Sequence, residues 1–177
     1  LSFQPYEIIN NYHLPEVKIT GLKILNKNVE IGQKIDNHVI LKKAIFATDE
    51  VTLYPRYHVV TFEFTALHYS NPEGNKYAYM LEGFDKEWNF TGSGSRFATY
   101  SNLPGRRYVF KVKASNNDGF WNEIPTELSI KVVPPFWKTW WFIAGMISLT
   151  IGMVVLFFRY RVYSINQQKT ILQKNVA

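Results

Sequence analysis

Residues 140–158, WWFIAGMISLTIGMVVLFF, run for 19 positions without a charged side chain. As an α-helix, at about 1.5 Å per residue, the run is roughly 28 Å long, close to the ~30 Å hydrocarbon layer of a bilayer. A lone segment in lipid can satisfy its backbone polar groups only as a helix. Ser148 and Thr150 can bond back to carbonyls of the preceding turn. Trp137, Trp140 and Trp141 stand at one end and Tyr160 and Tyr163 at the other, where amphipathic rings settle at membrane–water interfaces. The run therefore predicts one transmembrane helix. The competing reading, a core helix of a large soluble protein, needs other helices to bury it, and no second helical pattern is present.

Charge supplies the direction. The chain of 177 residues carries 20 basic and 14 acidic side chains, and every acidic one lies at or before Glu127. Beyond Lys138 the only charges are Arg159, Arg161, Lys169 and Lys174. Positive residues stay on the cytoplasmic side of a span, so the N-terminal region is expected outside and the tail inside, with Lys138 a weak opposing charge. This basicity follows the edge of an apolar run rather than a folded face, so no nucleic-acid binding is expected. The chain begins at Leu1 with no signal-peptide pattern and reads as a piece of a longer protein.

Before the apolar run the pattern is β. Over 57–68, Val60, Phe62, Phe64 and Ala66 fall on one face and Val59, Thr61, Glu63 and Thr65 on the other. Tyr77, Tyr79 and Leu81 recur at period two. So do Tyr108, Phe110, Val112 and Ala114, with Val109, Lys111 and Lys113 facing out; Leu128, Ile130 and Val132 follow. Val17 and Ile19 are in one phase and Leu22 and Ile24 in the other, which predicts a bulge or strand switch at Gly21. Turn residues at 71–75, 91–95, 103–105 and 116–119 separate the runs. About seven short strands, each with one apolar face, predict an antiparallel β-sandwich of the immunoglobulin or fibronectin type III kind, followed by the single helix. With no cysteine, packing must stabilise it, and an aromatic content of 16% suits that.

Leu103-Pro104-Gly105-Arg106-Arg107-Tyr108 opens the strand YVFKVKA. This resembles a tyrosine corner, in which a ring at a strand start packs inward and its hydroxyl bonds backbone a few residues upstream. The wider set of Tyr77, Tyr79, Trp88, Tyr100, Leu103, Pro104, Gly105, Tyr108 and Trp121, continuing into Pro134-Pro135-Phe136-Trp137, is similar to the triple-tyrosine (Y_Y_Y) domain over roughly 49–133. That family stands between a ligand-binding β-propeller and a membrane helix in bacterial sensor kinases, notably hybrid two-component sensors of gut Bacteroidetes. The resemblance implies a periplasmic sandwich in the inner membrane, an upstream sensor domain in the same chain, a homodimer, glycan fragments as ligands, and a cytoplasmic histidine kinase acting on transcription. No enzyme activity is expected of this segment itself.

The expected organisation is the end of an upstream domain or an arm over 1–15, the sandwich over 16–133, a linker over 134–139, the span over 140–158, and a cytoplasmic helix over 159–177. In that last stretch Val162, Ile165, Lys169, Leu172 and Val176 form a short a/d-type seam.

No catalytic, metal or cofactor pattern is present. His13, His38, His58 and His68 lack metal-ligand spacing, and Gly92-Ser93-Gly94-Ser95 reads as a hairpin loop rather than a nucleophile elbow or phosphate loop. Asp85 and Glu87 around Lys86 read as a solvated strand end ahead of a weak cation or sugar site. Trp88 and Trp121 read as core packing ahead of sugar-stacking platforms. Two functions compete: a signal relay needing only rigidity, and a single-pass adhesion or receptor ectodomain that binds a protein or carbohydrate directly.

Overall fold

In a computed structural model of the chain, residues 14–67 and 72–174 are described, without the side chains of Ser164 and 166–174. The expectation for 1–15, apart from Leu14 and Pro15, lies outside the described residues, as do His13, His68 and Asn71. The chain divides into two compact units, Leu1–Pro134 and Pro135–Ala177.

The first unit is a two-sheet sandwich. Its strands are β1 (Val17–Ile24), β2 (Lys27–Asn28), β3 (Lys34–Ile35), β4 (His38–Val39), β5 (Glu50–Leu53), β6 (Val59–Ala66), β7 (Lys76–Glu82), β8 (Asn89–Gly92), β9 (Phe97–Ser101), β10 (Arg107–Ser115) and β11 (Thr126–Val132). One sheet has the order β2-β1-β6-β9 and the other β5-β11-β10-β7-β8, while β3 and β4 form a small separate hairpin. Three of the strands beyond the expected seven are two-residue pieces. One pairing departs from the antiparallel expectation: β5 runs parallel to β11.

The alternating faces go where period two sends them. Val60, Phe62, Phe64 and Ala66 of β6 are buried, as are Tyr108, Phe110, Val112 and Ala114 of β10 and Leu128, Ile130 and Val132 of β11. Phe62 and Phe110 stack across the two sheets at 4.7 Å between ring centres, and Phe64 meets Tyr77 at 5.5 Å. Burial of such rings stabilises by roughly 25 cal/mol per Å² of apolar surface. The phase slip in β1 is a register shift between Ile19 and Gly21, so Val17, Ile19, Leu22 and Ile24 all reach the core.

One expectation is overturned. The Gly92–Ser95 loop is not a hairpin, because β8 belongs to the five-stranded sheet and β9 to the four-stranded one; the loop carries the chain between sheets. Local glycine chemistry permits either path, and the core demand of Ala98 and Tyr100 selects the crossing. Lys111 faces out, as its phase requires, and is paired there. Its ammonium bridges Glu82 at 2.8 Å and Glu127 at 3.4 Å, which raises its pKa, Glu82 foremost.

The second unit begins with a single 3₁₀ turn, Phe136–Lys138, and continues as α1 (Trp140–Lys174). Within it Trp140–Tyr163, 24 residues, is long and apolar enough to cross a membrane, and none of its most apolar stretch is buried. Thr150 donates to the Met146 carbonyl at 2.8 Å, so its hydroxyl is satisfied within the helix. Arg159 and Arg161 follow Trp140 and Trp141 by about 28 Å of helix.

Candidate functional site

The residues singled out in the sequence converge mostly on one end of the sandwich, the end where β11 finishes and the chain leaves. Tyr108, second residue of β10, turns its ring into the core and is 2% exposed. Its hydroxyl donates to the Pro104 carbonyl at 2.8 Å, closing the loop that joins β9 to β10. Arg106 lies over the same ring, 5.0 Å from its centre, and also donates to the Gly83 carbonyl.

Two glycines permit this closeness. Gly83 has φ +93°, and a Cβ there would lie 3.3 Å from Tyr108 Cδ1. At Gly105 a Cβ would lie 2.6 Å from Pro134 Cα, so the Leu103-Pro104-Gly105 loop touches the exit residue with no room for a side chain. The exit is held on both flanks as well: Val132 N–H donates to the Arg106 carbonyl and Val133 N–H to the Leu53 carbonyl, each at 2.9 Å.

A second polar anchor lies beside the corner. The Asp85 carboxylate accepts from the Tyr100 hydroxyl at 2.7 Å and from the Leu81 N–H at 2.8 Å. Asp85 is therefore not part of a solvated strand end; a tight turn after Leu81 folds it inward, with both Phe84 and Asp85 N–H donating to the Leu81 carbonyl. Burial, then the hydrogen bond and charge of Asp85, push the Tyr100 phenol well above its ordinary range. Burial first and Asp85 second also raise Tyr79. Phe84 packs edge-on against Tyr100 and Tyr108 at 5.9 and 6.5 Å. The linking role of Phe84 was missed in the sequence, where only its place after a glycine and before an aspartate hinted at a turn.

Tyr77 is separate from this corner. It is buried against Phe64, and its hydroxyl accepts from the Ala66 N–H at 3.2 Å. Trp88 and Trp121 are not core residues, contrary to the favoured reading. Both are partly exposed on the outer side of the five-stranded sheet, where the Lys113 ammonium lies 5.1 Å from one ring and 5.7 Å from the other. Exposed Phe90 meets Trp121 edge-on at 5.7 Å, and Lys113 is paired with Glu123 at 2.8 Å. Their positions in irregular segments beside β8 and β10 hid this grouping from any periodicity argument.

Among the described residues no group of three or more His, Cys, Asp or Glu could hold a metal ion. His38 stacks on Tyr54 at 3.7 Å. Trp137, Trp140 and Trp141 are exposed at the start of the second unit.

Comparison with known proteins places this arrangement. Residues 68–133 match the Y_Y_Y domain family. The chain is 36% identical over 157 residues to Histidine kinase P4 of Formosa agariphila, an alignment covering 88% of this chain and 11% of that protein. It resembles the extracellular domain of BT4673 from B. thetaiotaomicron, assigned to the hybrid two component systems, with 33% identity and a TM-score of 0.59 over 72% of this chain and 16% of that one. It also resembles the extracellular domain of BT3049 from the same organism, likewise assigned, with 28% identity and a TM-score of 0.56 over 75% of this chain and 17% of that one. The chain thus spans about a tenth to a sixth of the length of these relatives.

Proposed function

We propose that this chain, whose residues 68–133 match the Y_Y_Y domain family, is the extracytoplasmic relay and membrane span of a two-component sensor histidine kinase. It couples an upstream ligand-sensing domain to a cytoplasmic kinase that acts on transcription. The sandwich performs no chemistry in this scheme. It has to pass displacement on without absorbing it, and the single observation that carries the reading is the construction of its exit. Pro134 is wedged on Gly105, the last two N–H groups of the sandwich are bonded to Arg106 and Leu53, and the loop beneath is closed by Tyr108. Two successive prolines then restrict the backbone of the junction. In this reading the helix crosses the bacterial inner membrane with the sandwich in the periplasm. The active form is a homodimer, the helix continues beyond Arg159 toward the kinase, and the upstream ligand is a glycan fragment.

The test is slack. A flexible Gly-Ser segment inserted between Val133 and Pro134 of the full-length sensor is expected to leave ligand affinity unchanged while ligand-dependent phosphorylation falls to its basal level. Lys76→Gln, an exposed strand-end change, serves as control. An insertion variant that responds as fully as the parent would rule out mechanical coupling through this junction. Orientation is checked by protease added to spheroplasts, which should digest the sandwich and spare an epitope placed after Ala177.

The grouping of Trp88, Phe90 and Trp121 on an outer face favours a second reading, direct carbohydrate or protein binding by an adhesion-type ectodomain. Lys113 already occupies the space between the two indoles, which ranks this reading below the relay. Glycan binding by the chain that is lost in Trp121→Ala would reverse the order.

A further inference from the structure

The largest cavity among those described, about 700 Å³, lies at the same end of the sandwich as the exit. Its walls are the β1–β2 turn, residues 33–36 around β3, and residues 56–58. That last segment starts three residues beyond Leu53, whose carbonyl holds Val133, and the His58 carbonyl accepts from the Asn102 N–H just after β9. The cavity and the exit therefore share one end of one rigid unit.

Its lining is basic. Lys27, Lys34, Arg56 and His58 face one carboxylate, Asp36. Asp36 pairs with Arg56 at 3.7 Å, and no described carboxylate pairs with Lys27 or Lys34. Beside these cations Leu25 is 50% exposed and held at φ +51°, in the left-handed region that a leucine rarely adopts. The turn therefore displays an apolar side chain beside lysines that have no carboxylate partner among the described residues. It suits a boundary where apolar and anionic groups lie side by side.

The covalent chain limits what such a boundary can be. Six residues, 134–139, separate Val133 from the first residue of α1, so the two lie at most about 25 Å apart at ~3.5 Å per residue step. We propose that this basic cavity docks on the membrane, taking the phosphate of an anionic phospholipid headgroup between Lys27, Lys34 and Arg56 while Leu25 enters the interfacial layer. The proposal rests on α1 spanning the bilayer, as in the proposed function. It adds a lipid contact that would hold the relay at a defined height and make its output depend on lipid charge.

The test uses the whole chain in lipid nanodiscs. Because the chain has no cysteine, Asn28→Cys at the cavity and Lys76→Cys at the opposite end of the sandwich each give a single labelling site. Co-purification with the discs reports insertion of α1 separately, so failure of the span and failure of docking are distinguishable. A headgroup-bound quencher is expected to quench the label at position 28 more in phosphatidylglycerol discs than in phosphatidylcholine discs. The difference should disappear at about 1 M salt, where screening acts over ~3 Å, and in Lys27→Gln/Lys34→Gln, which leaves the Arg56–Asp36 pair in place. The label at position 76 should not respond to lipid charge. Equal quenching at position 28 in both lipids, or unchanged quenching in the double variant, would overturn the proposal. So would saturation of the site by millimolar inorganic phosphate in phosphatidylcholine discs with no effect of lipid charge, which would reassign it to soluble anions.

Discussion

The two faces of β10 are built from the same nine residues by different physics. Inward, Tyr108, Phe110, Val112 and Ala114 are between 0 and 2% exposed, and Phe110 contacts aromatic rings from both sheets. Outward, Val109, Lys111 and Lys113 are largely covered without being buried, and what covers the two lysines is polar or aromatic: Glu82 and Glu127 around Lys111, Trp88 and Trp121 around Lys113. The inner face gains from dispersion and loss of apolar surface to water, which alternation alone arranges. The outer face depends on side chains brought from neighbouring strands into register, where each contact contributes roughly 0.2–1 kcal/mol. One face holds the sandwich together, and the other tunes its surface.

This contrast can be broken most directly at Phe110. Phe110→Ala should destabilise the sandwich by about 3–5 kcal/mol, read as a shift of its urea midpoint in the detergent-solubilised chain. A cost no greater than that of Lys111→Ala would abolish the distinction between faces. At the corner, Tyr108→Phe keeps the inner packing and removes only the bond to Pro104, for an expected loss of about 1–3 kcal/mol. An unchanged midpoint would mean that the hydroxyl contributes nothing to closing the exit loop.

The phenols sharpen the comparison through pH. Tyr100, Tyr79 and Tyr57 all have pKa values raised above the ordinary 10.0, burial being the first cause in each. A raised folded-state pKa means that the folded chain retains a proton which the unfolded chain releases. Their contribution is therefore fully present below pH ~10 and declines as pH rises past that value. Urea midpoints at pH ~8 and ~11 should show this decline, with a smaller slope in Tyr100→Phe; an equal slope would remove Tyr100 as its source. The smallest effect is expected outside. Lys113→Ala should cost about 1 kcal/mol or less, since a partly exposed cation–π contact contributes roughly 0.5–1 kcal/mol. A loss comparable to that of Phe110→Ala would show that the outer grouping is a second core.

Much of this architecture was legible along the chain. Period two in β6, β10 and β11 named most of the buried residues because side chains on a regular strand alternate between faces, and the slip at Gly21 marked the register shift for the same reason. The long apolar helix was legible because a run able to cross lipid carries no charge, and that is a condition on composition rather than on partners. The tyrosine at a strand start after Leu-Pro-Gly pointed to Tyr108, whose bond spans only four residues.

What lay beyond reach was everything requiring two distant segments to meet. Whether Gly92–Ser95 turns back or crosses between sheets depends on which sheet needs β9. Asp85 finds its second partner only because Tyr100 arrives from another strand. Trp88 and Trp121 lie on opposite sides of Lys113 in the chain and meet over it only after β7, β8 and β10 are in register. The basic cavity gathers Lys27 of β2, Lys34 of β3 and Arg56 of the β5–β6 connection, which share no spacing. Periodicity reports the environment of one element, whereas a loop's path and a polar group's partner are set by the competing demands of all the elements packed around it.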